Sequence, residues 1–530
     1  MKFINKSKNL YIKIIGGTKM PSWGIHLGIA NKLSQKIENI DKNLFMFGNV
    51  VPDINNGYVV EDISKIIPHK ITHYDGEKDF KGYRKFFIKY IKNVKNPVVL
   101  GSLTHLMTDY YFNNITYSKK AIWENGKVVG IKLNTGKEIK CDKETVKKMK
   151  ENDFKIFADY IYKNHKISNI KYDEKMLSIN SIVEEFDITK EDTEKTIEYM
   201  NNYIENKKSI ISKCENKEYQ IFTPNELEEI SENCVNFILE FLEKTSKIII
   251  GKTAGFCYGV KRAVNGAENE IKNSKEPVYC LGKIVHNKQV IEELKKQGII
   301  FVEDINEVNG KTIIRAHGVP KEIYEKAKQK NIELKDYTCP NVLKIHKIAE
   351  EYAEKGYFIF LCGSKKHPEN IGTISYCNKN LYIIEKEDDT FKALERLEKS
   401  GAKKLLVISQ TTYSLEKFYI IKEIIENELP RNVELVIKNT ICSSTEQRQI
   451  ETKELSKKVD MMIIIGGKNS SNTKKLYEVS LENCPKAVCI ESYEELENMQ
   501  DEIKNARKIG VMAGASTPQK SIEEVIKYLI

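Results

Sequence analysis

At 530 residues the chain exceeds what one hydrophobic core usually supports, so roughly two to four domains are expected. Its net charge of +10 comes with acidic and basic residues interspersed, which describes a solvated surface and argues against nucleic-acid binding. Eleven cysteines, an odd number widely scattered without a CxxC pair, argue against a disulfide framework and fit a reducing cytoplasm; no apolar run approaches the roughly 20 residues of a transmembrane segment.

The basic first nineteen residues have their apolar part broken by Lys13 and lack a small-residue cleavage site. They do not read as a signal peptide, and Met20 is an alternative start. From Trp23 the chain reads as helices with short loops. PSWGIHLGIANKLSQKI carries an apolar stripe at Ile25, Ile29 and Leu33 with His26 beside it; FMFGNVVPDINNG carries Asp53; IIPHKITHYDG carries His69 and His73. In NPVVLGSLTHLMTDYYFNN, His105 and Asp109 lie four apart. On a helix they share one face, and a histidine and a carboxylate so placed can grip one Zn²⁺.

His26, Asp53, His73, His105 and Asp109 resemble, in order and residue type, the zinc ligands of the zinc-dependent phospholipase C and S1/P1 nuclease superfamily. The resemblance covers roughly residues 20 to 160 and implies an all-α fold with a zinc site, at which this chain's departures from the family leave one or two metals, or none, as the options. Secreted members begin on a tryptophan that is itself a ligand, whereas Trp23 is internal, and no second HxxxE pair follows. Beyond it, the alternating stretch VVGIKLNTGKEIKC reads as a small hairpin insertion. Charged helices, one starting at Thr223-Pro224, close a first domain over residues 1 to 246.

From Lys247 to Ile530 the pattern becomes strand, loop and helix in regular succession, as α/β layers with parallel strands are written. Polar signatures fall where strands end: KIVHN with His286, HGVP with His317, SKKHPEN with His367 and Glu369, QTTYS with Thr411, KNSSNT with Ser470, Ser471 and Asn472, and GASTP with Ser516. Strand carboxyl ends are where ligands bind in such sheets, so these can meet in one cavity.

Three cysteines, Cys257 in GFCYGV, Cys339 in YTCPNV and Cys442 in ICSSTE, each follow an extended segment and precede a helix. A helix N-terminus favours thiolate, the form a soft metal centre binds. A [4Fe–4S] cluster on three thiolates would keep one iron open to substrate. The histidines and hydroxyls suit a diphosphate, and Glu369, the lone carboxylate, is a candidate proton donor whose pKa an anionic substrate would raise. Cys280, Cys362, Cys377, Cys484 and Cys489 read as small buried hydrophobes.

These motifs, in this order over residues 248 to 530, closely resemble the 4-hydroxy-3-methylbut-2-enyl diphosphate reductase family, which ends the methylerythritol phosphate route to isoprenoids. The resemblance implies an α/β trefoil of three lobes around a [4Fe–4S] cluster. Cys257, Cys339 and Cys442 would be its ligands, and His286, His317, His367, Ser470, Ser471, Asn472 and Ser516 would hold the diphosphate. Glu369 would supply the proton, His367 would assist its delivery, Thr411 would orient the substrate hydroxyl, and ferredoxin or flavodoxin would donate electrons. The rival readings are an iron–sulfur hydratase or lyase, which needs no net electrons, and a cluster-bearing redox sensor, which needs no anion pocket.

Overall fold

The computed structural model describes residues 23–60, 62–74, 81–205 and 217–530; Met20 lies outside them. The chain divides into two compact units, Met1–Thr245 and Ser246–Ile530. Among the described residues no helix is long and apolar enough to cross a membrane.

The first unit is built on helices α1 (Trp23–Ser34), α2 (Lys42–Gly48), α3 (Pro97–Ile115), α4 (Lys143–Asn164), α5 (Lys190–Ile204) and α6 (Pro224–Ser246). Helix α3 starts where Asn96 caps the amides of Val98 and Val99 ahead of Pro97, whose missing N–H costs nothing at a first turn. It packs on α2 through facing glycines. A Cβ on Gly101 would lie 2.5 Å from the Phe45 carbonyl oxygen, so the two backbones touch without side chains between them. Helix α6 starts on a capping box in which Thr223 and Glu226 bond each other's backbone amides.

The all-α expectation needs one correction. Strands β1 (Ala121–Glu124), β2 (Lys127–Lys132) and β3 (Glu138–Lys140) form a three-stranded antiparallel sheet. The hairpin read from the alternating stretch thus has a third strand, because β1 lies where the sequence looked irregular.

The second unit holds three four-stranded sheets, parallel throughout, ordered β6-β5-β7-β8, β10-β9-β11-β12 and β14-β13-β15-β4. The strands are β4 (Ile248–Ile250), β5 (Val278–Leu281), β6 (Ile299–Val302), β7 (Lys311–Ile314), β8 (Leu334–Asp336), β9 (Phe358–Cys362), β10 (Leu381–Ile384), β11 (Lys404–Ser409), β12 (Glu434–Ile437), β13 (Met461–Ile465), β14 (Ala487–Ile490) and β15 (Ile509–Ala513). The inner strands β9, β13 and β15 are buried at every residue, which is why FIFLC and MMIII are continuous apolar runs and not alternations. The first strand, β4, pairs with the last, β15, so the third sheet closes only when both ends of the unit are in place.

Candidate active site

Each sheet delivers the same three kinds of loop. The cysteines follow the edge strands β8, β12 and β4; His286, His367 and Ser470 follow the inner strands β5, β9 and β13; His317, Thr411 and Ser516 follow the inner strands β7, β11 and β15. Reading the motifs one at a time hides this threefold repetition, because the residue types differ at equivalent places.

Cys257, Cys339 and Cys442 are the residues immediately ahead of helices α7 (Tyr258–Asn273), α8 (Pro340–Glu354) and α10 (Ser443–Ser456), with α9 (Pro368–Ile374) between the latter two. All three thiols line one cavity together with His286, His317, His367, Glu369, Thr411, Ser470, Ser471, Asn472 and Ser516. Gly259 leaves room for one of them: a Cβ there would lie 2.5 Å from Cys339 Sγ. At two of them the protein alone works against the thiolate form. Burial raises the pKa of Cys339 and Cys442 despite opposing hydrogen bonds from the α8 amides and from Thr445. Desolvation outweighs the helix N-terminus here, and a bound metal would have to hold these sulfurs as thiolates.

Glu369, in the first turn of α9, is 2% exposed. The Thr411 N–H donates to its Oε1 and the Thr411 hydroxyl to its Oε2, both at 2.6 Å. Burial pushes its carboxyl up to about 7 while both Thr411 bonds oppose the rise. Desolvation therefore keeps a proton available before any anion enters, a cause the sequence did not show beside the substrate charge.

The three histidines stand together, ring centroids 4.4, 5.6 and 5.4 Å apart. Burial, then mutual repulsion and the Arg315 guanidinium, lower the pKa of His317 far below the usual range and that of His367 to about 4; burial, Arg315 and Lys283 lower that of His286. All three are neutral rings, each able to donate one N–H. His286 Nε2, His317 Nδ1 and both amide atoms of Asn472 meet no hydrogen-bonding partner in the protein. Buried polar atoms left so are costly, and here their residues line one cavity. Ser470 and Asn472 lie at the start of α11 (Ser471–Asn483), where unpaired amides favour an anion. Ser471 accepts from Thr412 at 3.2 Å, and the Ser516 hydroxyl donates to the His286 carbonyl at 3.3 Å.

A profile of the family described as LytB protein matches residues 248–530. The chain belongs to the LytB family. A relative from Clostridioides difficile (strain 630), named 4-hydroxy-3-methylbut-2-enyl diphosphate reductase, is 41% identical over 284 residues, covering 53% of this chain and 98% of its own. One of the same name from Aquifex aeolicus (strain VF5) is 41% identical, covering 52% and 94%. A solved structure of the E-1-hydroxy-2-methyl-but-2-enyl-4-diphosphate reductase from Plasmodium falciparum is 35% identical, covering 53% and 87%, with a TM-score of 0.49.

In this LytB half two groups escaped sequence reasoning. Arg315 stood in plain view in RAHGVP but is recognisable only once the fold sets it beside three histidines. A neighbouring cavity shares His286, His367 and Ser471 and is lined by Lys366, Lys417, Lys474 and Lys475, a basic approach scattered over three sequence segments.

The LytB match stops short of the first unit, where the phospholipase C resemblance rests on the residues alone. There His26, Asp53, His73, His105 and Asp109 converge. His26 Nε2 lies 3.3 Å from Asp109 Oδ1; His73 Nε2 lies 3.5 Å from Asp53 Oδ1 and 3.4 Å from Asp109 Oδ2; His105 Nε2 lies 3.5 Å from Asp109 Oδ2. His73 and His105 aim their Nε2 atoms at each other across 3.1 Å. The far ring nitrogens are held by neighbours, His105 Nδ1 by the Asn49 carbonyl at 2.7 Å and His73 Nδ1 by the Thr72 hydroxyl at 2.9 Å. Trp23, internal as read, donates its indole N–H to Asp53 at 2.9 Å. His69, not singled out from sequence as a ligand, stacks on His73 with centroids 3.6 Å apart and with it and Asp109 forms a third candidate ligand set.

Proposed function

We propose that residues 247 to 530 catalyse the reductive dehydroxylation of 4-hydroxy-3-methylbut-2-enyl diphosphate to isopentenyl and dimethylallyl diphosphate. The observation that carries this reading is the single cavity in which three helix-capping cysteines meet Glu369, Thr411 and a set of unpartnered anion-binding groups. Three thiols converging at helix starts fit a [4Fe–4S] cluster by their chemistry, and the cysteines among the described residues are all unbridged. Bound there, the cluster would supply electrons one at a time and an open iron for the substrate oxygen.

The protein's own residues do the rest. His286, His317, His367, Ser470, Ser471, Asn472 and Ser516 hold the diphosphate by many modest donors, so that the better leaving group stays in place. Thr411 fixes both carboxyl oxygens of Glu369 and orients the substrate hydroxyl. Glu369 gives its proton to the hydroxyl oxygen, which departs as water when the allylic C–O bond breaks; two electrons and two protons are consumed in all. We assign the electrons to a ferredoxin or flavodoxin and the enzyme to the cytoplasm. Omitting the reductant separates this reading from a hydratase or lyase, which would turn over without it.

A second reading concerns residues 1 to 246. Five ligand-type side chains from four segments, with the outer nitrogens of His73 and His105 already held, suit one or two Zn²⁺ ions. His26, Asp53, His73, His105 and Asp109 would hold them. Elemental analysis of the full chain purified without chelators tests this. Zinc should be present and should fall by about half or more in His105→Ala; a zinc-free wild type ends the reading.

A further inference from the structure

Helix α10 carries, six residues beyond Cys442, a buried cation that the chemistry above does not use. Arg448 is 4% exposed. Its Nη2 donates to the Gly255 carbonyl at 2.7 Å and its Nη1 to the Ser444 carbonyl at 3.1 Å. Gly255 lies two residues before Cys257 and Ser444 two after Cys442, so one guanidinium ties together two cysteine-bearing turns. Both terminal nitrogens are spent on carbonyls, and its Nε meets no acceptor in the protein.

Beyond its own burial, the charges that would act most on Arg448 are the sulfurs of Cys257 and Cys442 once held as thiolates, ahead of Glu451. Glu451 is engaged elsewhere: its carboxylate accepts from the amides of Lys252 and Thr253 and from the Thr253 hydroxyl. Burying a cation without a carboxylate bonded to it is costly, and arginine keeps its charge under such conditions. Tying two carbonyls together needs donors but no charge. What a fixed charge beside two sulfurs can do is favour whatever adds negative charge there, and cluster reduction adds one per electron.

Resting on the reading that Cys257, Cys339 and Cys442 hold an iron–sulfur cluster, we propose that Arg448 is a positioning residue that sets the cluster's reduction potential, its buried positive charge stabilising the reduced state. The experiment is a redox titration of the anaerobically purified full chain, followed by the paramagnetic signal of the cluster, for wild type, Arg448→Met, Arg448→Gln and Arg448→Lys. The neutral variants should bind the electron at least about tenfold more weakly, a fall of about 59 mV for a one-electron couple, while Arg448→Lys stays within about threefold of wild type. A loaded Arg448→Met or Arg448→Gln cluster within threefold of wild type overturns the inference, as does an Arg448→Lys potential that falls tenfold. If neither neutral variant keeps its cluster, the lysine variant decides alone. A wild-type chain that binds no iron would defeat the cluster reading itself, a distinguishable outcome.

Discussion

Burial and two hydrogen bonds from Thr411 pull the Glu369 proton in opposite directions, and burial wins, leaving the group half protonated near pH 7. A proton donor with a pKa of about 7 is loaded below that pH and empty above it. Turnover under saturating reductant should therefore decline as pH rises through about 7. Glu369→Gln should lower turnover by roughly 10² or more with little change in diphosphate affinity, and should abolish that alkaline decline. A variant within a few-fold of wild type that kept the same pH profile would remove Glu369 from the chemistry. Among the cysteines, Cys442→Ser should lose cluster and turnover, whereas Cys484→Ser, whose sulfur packs with Leu455, Val459 and Leu476 in the third sheet's core, should keep both; iron analysis checks each. Legibility at this scale was uneven. Glu369 and the cysteines announce themselves by type and placement, but the strength of desolvation at a given side chain depends on neighbours brought from elsewhere, which is why the effect of burial at Cys339, Cys442 and Glu369 was not legible.

Helices and strands were legible where their pattern was regular. The buried strands of the second unit are continuous apolar runs, and α3 and α6 start at Asn96-Pro97 and Thr223-Pro224, where capping side chains and proline coincide. Strand β1 was missed because its four residues are half-buried or exposed and show no alternation. The recurrence was legible at the cysteines, which follow β8, β12 and β4, but not at the loops after the inner strands, where histidine, serine and threonine stand at equivalent positions. Glycine contacts expose a dependence that no periodicity reveals. Gly466 directly follows β13, and a Cβ there would lie 2.6 Å from Thr473 Oγ1 and 2.8 Å from Thr517 Oγ1. Gly466→Val should push the Ser470 and Ser516 loops apart, costing about 1–3 kcal/mol of stability and weakening substrate affinity more than turnover. Chemical denaturation beside steady-state kinetics separates the two, and an unchanged KM would show that the loop tolerates the side chain.

At the scale of the whole molecule, the chain joins two units whose site residues were read from sequence to different depths. In the second, many short motifs in fixed order specify a cavity that the structure assembles from all three sheets. In the first, ligand-type residues are few and their meeting depends on tertiary packing, so the sequence alone could not show that His69 stacks at the same cluster or that Trp23 anchors Asp53. The central claim is that the three cysteines and Glu369 form one reductive centre. Its most direct test is an anaerobic assay of the iron-loaded full chain with 4-hydroxy-3-methylbut-2-enyl diphosphate, with and without a low-potential one-electron reductant, analysing the diphosphate products. Isopentenyl and dimethylallyl diphosphate should form only when reductant is present, and none should form with Cys442→Ser. Conversion without reductant, or an iron-loaded wild type that leaves the substrate intact when reductant is supplied, would contradict it.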